Sequence, residues 1–254
     1  EAITGRNFNP TLSELNRQDF TFDSGASNTT QLSSYMTGFD EFNDKDQVEI
    51  DFLIAPSFLT DTDQKTMIND LTAIAEARKD CVVAASPSRN AILSSASAAK
   101  ITTNITTAVD TITRSSYLVM DGNFLKVYDK YNDKYIKIPA SSSTAGIMAA
   151  TDLNRAAWFS PAGSKRGNYL GITSLVWSPD KSQRDSLYKA GVNPIANIPG
   201  SGPVLFGDKT FLTTQSAFNR INVRRLFLVL ERAIAKAAES VLFEFNDEFT
   251  RAEF

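Results

Sequence analysis

The sequence predicts an α/β protein, a mixed sheet flanked by helices around a βαβ core, with a β-meander insertion and a long C-terminal helix. Three observations predict it. Val48–Ala55 becomes fully apolar toward its C-terminal end, as a strand buried on both faces does. A helical apolar pattern and a second short apolar strand follow it directly, which is the βαβ order. From Asn222 onward apolar residues again recur at helical spacing.

The elements follow in order. The first thirty residues are polar, with turn signals at Asn9-Pro10 and Ser24-Gly25. Thr29 or Thr30 is placed to cap a helix with Leu32, Tyr35, Met36 and Phe39 on one face, closed by Asn43-Asp44. After Val48–Ala55, a helix begins at Asp61 or Thr62 and buries Met67, Ile68, Leu71, Ile74 and Ala75. Arg78 and Lys79 complement its C-terminal dipole. Cys81–Ala85 is the next strand, and Lys100–Thr113 a further helix. Tyr117–Met120, Asn123–Tyr128 and Lys134–Pro139 read as strands joined by Asp121-Gly122 and Asn132-Asp133, hence a meander over about 115–140. Ser141–Thr151 reads as a helix and Leu170–Trp177 as a strand. Pro179–Ala190 is a helix with Gly191 past its end. Ile195–Ile198 and Val204–Phe206 are short strands.

Composition excludes several chemistries. The 254 residues contain no histidine and a single cysteine, with a net charge of −3. Histidine-based nucleophilic triads, His-ligated zinc and intrachain disulfides are therefore out of reach. Cys81, within an apolar run, reads as a small core residue. No apolar run approaches the length of a membrane span, and the charge gives no reason to expect nucleic acid. No cofactor is expected. Glu1 is not an initiator Met and no signal-peptide pattern precedes it, so the chain reads as an internal fragment or a processed product.

Several local patterns mimic functional sites. Asp61, Asp63 and Asp70 suggest a divalent metal, but Asp61 and Asp63 stand where helix N-termini favour acids. Asp129–Asp133 lacks the glycine and the terminal glutamate of a calcium loop. The Asn28 and Asn104 sequons carry no weight without a secretory signal. The aromatics between Tyr117 and Tyr135 suit cross-strand packing better than base stacking. Gly202 and Gly207 have phosphate-loop spacing, which opens an alternative reading of Gly202–Thr210 as the site of a P-loop-like nucleotide-binding hydrolase. Against it, Asp208 separates Gly207 from Lys209 and no helix starts at Thr210.

An ordered set of segments carries a resemblance. Asp51-Phe-Leu-Ile-Ala-Pro56, Trp158-Phe-Ser-Pro-Ala-Gly163 with Lys165-Arg-Gly167, and Gln183-Arg-Asp-Ser-Leu-Tyr-Lys-Ala-Gly-Val-Asn-Pro-Ile195 come first. Gly202-Pro-Val-Leu-Phe-Gly-Asp-Lys-Thr210, Asn222-Val-Arg-Arg-Leu-Phe227 and Phe243-Glu-Phe-Asn-Asp247 follow. Together, in this order, they resemble the contractile tail sheath proteins of large myovirus-type bacteriophages. The resemblance implies a structural protein without an active site. Its full-length form would build hexameric rings into a helical sheath on a tail tube, anchored at a baseplate and contracting to drive the tube into the host envelope. It implies a location in the virion tail, with assembly in the host cytoplasm and no membrane insertion. It divides the chain into an α/β sheath domain, 1–218, and the truncated start of a C-terminal, tube-facing domain, 219–254. It further implies that the chain is an internal fragment lacking both of the family's termini, which carry assembly, so the fragment itself is expected to be monomeric.

The helix from Asn222 supplies the candidate contacts. Between Arg220 and Glu239 five basic residues face two acidic ones in an otherwise acidic chain. Arg224 and Arg225 stand near the N-terminal end, where the dipole disfavours cations. Arg225, Arg232 and Lys236 share a helical face. The expectation is a core stripe of Val223, Leu226, Val229, Leu230, Ile234 and Ala237. Arg224, Arg225, Arg232 and Lys236 are then the tube-facing or inter-subunit candidates.

Overall fold

Four parallel strands give the protein two distinct ends, and most of its polar chemistry sits at one or the other. The computed structural model describes residues 3–7, 16–20, 32–239, 242–245 and 247–253. The chain divides into two units, Glu1–Gly38 and Phe39–Phe254. In the first, β1 (Ile3–Asn7) and β2 (Asn16–Phe20) form an antiparallel pair with Ile3 opposite Phe20. Helix α1 (Leu32–Asp40) follows. The expected cap at Thr29 or Thr30 and the turn signals at Asn9-Pro10 and Ser24-Gly25 lie outside the described residues.

The second unit opens with β3 (Phe52–Ile54), α2 (Asp61–Arg78) and β4 (Val82–Ala85). Next come α3 (Arg89–Leu93), α4 (Ala98–Asp110), β5 (Leu118–Asp121), β6 (Phe124–Asp129) and β7 (Lys134–Pro139). Helix α5 (Ser141–Asn154), β8 (Ser174–Leu175), α6 (Lys181–Lys189), β9 (Val192–Asn193), β10 (Ile195–Ile198) and β11 (Gly202–Leu205) lead to α7 (Ile221–Glu239) and α8 (Glu248–Glu253). Strands β3, β4, β5 and β9 pair in that order, all parallel. Two antiparallel sheets stand beside them, β7-β6-β8 and β10-β11.

The α/β class with a βαβ core and a long C-terminal helix is as the sequence predicts, with two adjustments. The central sheet is purely parallel, the antiparallel pairings being held in separate sheets. Leu118–Asp121 belongs to that parallel sheet and not to a meander, because all four of its residues are buried, as a central strand requires. The third antiparallel strand is β8, the two-residue remnant of the strand expected over Leu170–Trp177.

Local signals explain the helix ends. The hydroxyl of Thr60 accepts from the Asp63 amide at 3.1 Å, so the α2 cap lies one residue before the expected start. Met67, Ile68, Leu71, Ile74 and Ala75 are all buried, as the 3.6-residue period demands. Asp180 and Gln183 form a reciprocal capping box at α6. Arg78 does more than complement a dipole. Buried, it pairs with Asp80 at 2.8 Å and donates to the carbonyls of Phe42 and Val48. It thereby ties residues 42–48 to the amino end of the sheet.

Candidate functional site

Helix α7 runs along the amino end of the parallel sheet, and its arginines engage successive strand starts. Arg224 donates to Ser116 Oγ at 2.5 Å and to the Tyr117 hydroxyl at 3.3 Å, just ahead of β5. Its guanidinium lies between the rings of Tyr117 and Phe218, 4.2 and 4.1 Å from their centroids, a cation–π sandwich out of solvent. Arg225 donates to the Met148 carbonyl, pairs with Asp152 at the end of α5 and lies over Phe52. Arg232 pairs with Asp51 at 2.7 Å and reaches the carbonyls of Ile50 and Asp80, ahead of β3 and β4. Lys236 is exposed one turn further on. A cleft of about 310 Å³ separates this helix from Glu49, Asp51 and Asp152, with Lys236 at its wall.

This geometry corrects the expected orientation of the helix. The buried residues of α7 are Ile221, Arg224, Arg225 and Leu228, spaced as one helical stripe. Leu230 and Ile234, expected in the core, are 44% and 58% exposed, and Val229 is 44% exposed. Arg225, expected to be accessible, is 5% exposed. The physical reason is that acceptors line the amino end of the sheet. A guanidinium with an aligned carboxylate and carbonyls is accommodated there, whereas leucine would leave those acceptors unpaired. The dipole penalty at Arg224 and Arg225 is offset by Asp152, Ser116 and three aromatic faces, those of Tyr117, Phe218 and Phe52. Those partners, scattered over distant segments, carry no signal in the sequence.

The glycine-bearing loop after β10 is a built turn. Gly202–Leu205 is the strand β11. Asn193, fully buried, accepts from the Lys209 amide at 2.9 Å and donates to the Lys209 and Met120 carbonyls. A Cβ at Gly207 would stand 2.7 Å from Asn193 Oδ1, so this glycine serves close packing. Asp208 pairs with Arg220, and Lys209 Nζ donates to the Tyr188 carbonyl while lying 3.9 Å above its ring. The residues after Thr210 form a single 3₁₀ turn over Ala217–Asn219. The amides of Leu205, Phe206, Lys209 and Thr210 already donate within the chain, and no α-helix follows directly on Thr210 as a nucleotide loop needs. The nucleotide alternative therefore has no geometric support. The Ser160–Gly167 segment is likewise structural. Gly163, at φ 92°, donates to the Leu205 carbonyl, and Leu205 donates back to Gly167.

At the opposite, carboxyl end of the sheet sits a polar cluster that the sequence reading missed, having taken Asp121 as a turn residue. The Asp121 carboxylate accepts from Ser86 Oγ at 2.8 Å and from Thr144 Oγ1 at 3.2 Å, and Thr144 meets the Tyr169 hydroxyl at 2.9 Å. Burial pushes the Asp121 carboxyl up to about 7, against those hydrogen bonds, which favour the charged form. Burial, followed by the Asp121 charge, pushes the Tyr169 phenol up as well. The Cys81 thiol is raised to about 12 by burial, consistent with an inert core role. Asp61 accepts from Ser88 and Asp63 from Thr60, and among the described residues no group of acids could hold a metal ion.

Residues 26–211 match the family model described as the phage tail sheath protein central domain. The chain is 36% identical over 253 residues to the tail sheath protein of Vibrio phage KVP40 and 35% identical over 254 residues to that of Enterobacteria phage T4. Each match covers 92% of this chain and 37% of the relative, so the chain spans under two fifths of their length. Its fold is similar to that of the contracted helical sheath of the anti-feeding prophage, with a TM-score of 0.64 and 22% identity over 91% of this chain and 57% of that one.

Proposed function

The chain belongs to the phage tail sheath protein family, and from that premise we propose that it is the central part of a contractile tail sheath subunit. In this reading whole subunits polymerise as hexameric rings stacked helically on a tail tube and anchored at a baseplate. Contraction of the sheath then drives the tube into the host envelope. The subunit assembles in the host cytoplasm and resides in the virion tail. Its role is structural and non-enzymatic, without cofactor, nucleic acid or membrane insertion. The observation that carries the reading is the family match over 26–211, which includes the whole parallel sheet.

Within that reading, residues 1–218 form the α/β sheath domain and 219–254 begin the tube-facing part. Arg224, Arg225 and Arg232 suit a joint that resists being pulled off the sheet, since together they fasten α7 to three strand starts and to α5. Arg224 and Arg225 act inside the subunit in this way. Of the four candidates, Arg232 and Lys236 keep solvent access and are proposed as contacts to a tube or a neighbouring subunit. The exposed apolar positions Leu230 and Ile234 lie on the opposite, solvent-facing side of the helix.

The test is to purify the full-length protein and follow it by electron microscopy, alone and with preformed tail tubes. Sheath-like tubes or decorated tail tubes are expected. A protein that stays dispersed under all conditions, or that hydrolyses nucleotide, would overturn the reading.

A further inference from the structure

The β6–β7 hairpin has no role in the mechanism so far. It leaves the carboxyl end of the parallel sheet, since β6 starts three residues after β5 ends. Its base is anchored, with Phe124 and Leu125 fully buried. Its outer half carries Tyr128, Tyr131 and Tyr135, exposed by 46%, 86% and 56%, among Lys126, Lys130, Lys134 and Lys137. The two acids there are tied up locally, Asp129 accepting from the Tyr131 amide and Asn132 and the exposed Asp133 from the Tyr128 hydroxyl, and the four lysines outnumber them. Strand β7 is at the edge of its sheet, and lysines on an edge strand oppose strand pairing. The hairpin therefore presents a basic, tyrosine-rich surface suited to side-chain recognition, and tyrosine supplies large contact area at little entropic cost.

The complementary surface is at the other end of the same sheet. Asp40, Glu41, Asp44, Asp46, Glu49 and Asp51, against Lys45 alone, form an exposed acidic segment. Arg78 holds it at the amino end through the Phe42 and Val48 carbonyls. Arg232 meets only Glu49 and Asp51 of the six. The segment thus keeps a surplus of negative charge in solvent.

We propose that the β6–β7 hairpin of one copy docks on the acidic segment 40–51 of a second copy, a head-to-tail contact between subunits. This rests on the sheath reading, since it presupposes self-assembly. Opposite charges at opposite ends of one parallel sheet cannot satisfy each other within a copy. Between copies, like ends repel and unlike ends attract, which sets direction as well as contact. A contact between two different surfaces is heterologous, and such contacts generate rings or open helical arrays in place of closed dimers. Exposed charge pairs are weak singly and screened by salt, so this contact holds through repetition in a lattice and leaves isolated chains apart.

The experiment uses the full-length protein in two charge-reversed forms, Lys130→Glu with Lys134→Glu, and Asp44→Lys with Asp46→Lys. All four positions are exposed, and thermal melts check that each form is folded. Each form alone is expected to give at least tenfold less sheath polymer than wild type by sedimentation and electron microscopy. Their equimolar mixture is expected to recover polymer, because every contact between unlike copies is then complementary in charge. Wild-type protein that never polymerises would overturn the sheath reading and this inference with it. Wild type that polymerises alongside two equally competent variants overturns the inference alone, and so does loss in both variants without rescue in the mixture. A hairpin variant that assembles normally but leaves particles adsorbing poorly to cells would assign the hairpin to an anionic host surface instead.

Discussion

Asp121 and Ser86 join the carboxyl ends of β5 and β4 through a 2.8 Å hydrogen bond between two side chains that are each 1% exposed. The bond is one edge of a cluster that also holds the N-terminal turn of α5 through Thr144, while Ser86 Oγ accepts from the Ser141 amide. Helix α5 is therefore pinned at its start to the carboxyl end and, through Asp152 and Arg225, at its finish to α7 at the amino end.

The Asp121 carboxyl is raised from an ordinary 3.8 to about 7 in the folded chain, so the fold binds a proton that the unfolded chain has already released over that interval. Its contribution is fully present below about pH 4 and is lost as pH rises through about 7. The linked free energy is on the order of 4 kcal/mol. Asp121→Asn should flatten the fall in melting temperature between pH 4 and 8 relative to wild type. Parallel curves for the two proteins would show that Asp121 is charged at both ends of the range.

Helix orientation yields a paired test. Leu228→Ala should cost about 2–5 kcal/mol, while Leu230→Ala, at an exposed site, should cost less than about 1 kcal/mol in this chain. Arg225→Ala should cost about 2–4 kcal/mol, since it leaves Asp152 and the Met148 carbonyl without their donor. Urea denaturation of the three variants reads all of these. The reverse ranking of the two leucines would restore the stripe expected from hydrophobicity alone.

The loop after β10 should behave as structure. Asn193→Ala removes three hydrogen bonds in a buried site and should cost about 2–3 kcal/mol, whereas Lys209→Ala should cost under about 1 kcal/mol. Millimolar Mg-ATP should leave the melting curve unchanged. A ligand-induced rise of several degrees, abolished by Lys209→Ala, would reinstate a phosphate site.

What the sequence reveals divides along a physical line. Period and caps are local, so α2 with Met67 to Ala75, the apolar strands at Leu53 and Val82, and α6 after Asp180 are all legible. Sheet membership is not local. Leu118–Asp121 and Phe124–Asp129 read as neighbours in a meander, yet one lies in the parallel sheet and the other starts a separate one. Helix α7 marks the sharper limit. Its length and basic stripe are evident, but which face is buried depends on Asp51, Ser116, Asp152 and the carbonyls of Ile50, Asp80 and Met148. Hydrophobicity ranks Leu230 above Arg225 for the core; only the acceptors already waiting at the amino end reverse the order.

Arg232 and Lys236 share the sheet-facing side of that same helix with Arg225, at the cleft toward Glu49, Asp51 and Asp152, and of the four candidates they are the two that keep solvent access. Charge reversal at Lys236 removes no hydrogen bond recorded for the folded chain, so Lys236→Glu should leave the melting temperature within about a degree of wild type. Arg232→Glu sets an acid against Glu49 and Asp51 and should cost stability as well. In the full-length protein, sheath length on preformed tubes should therefore fall for Lys236→Glu without a change in folding. The deficit should narrow as salt rises, because screening weakens both the attraction that Lys236 supplies in the wild type and the repulsion that the introduced acid creates. Sheaths of normal length for Lys236→Glu across a salt series, measured by electron microscopy, would mean that this end of α7 does not recognise its partner by charge.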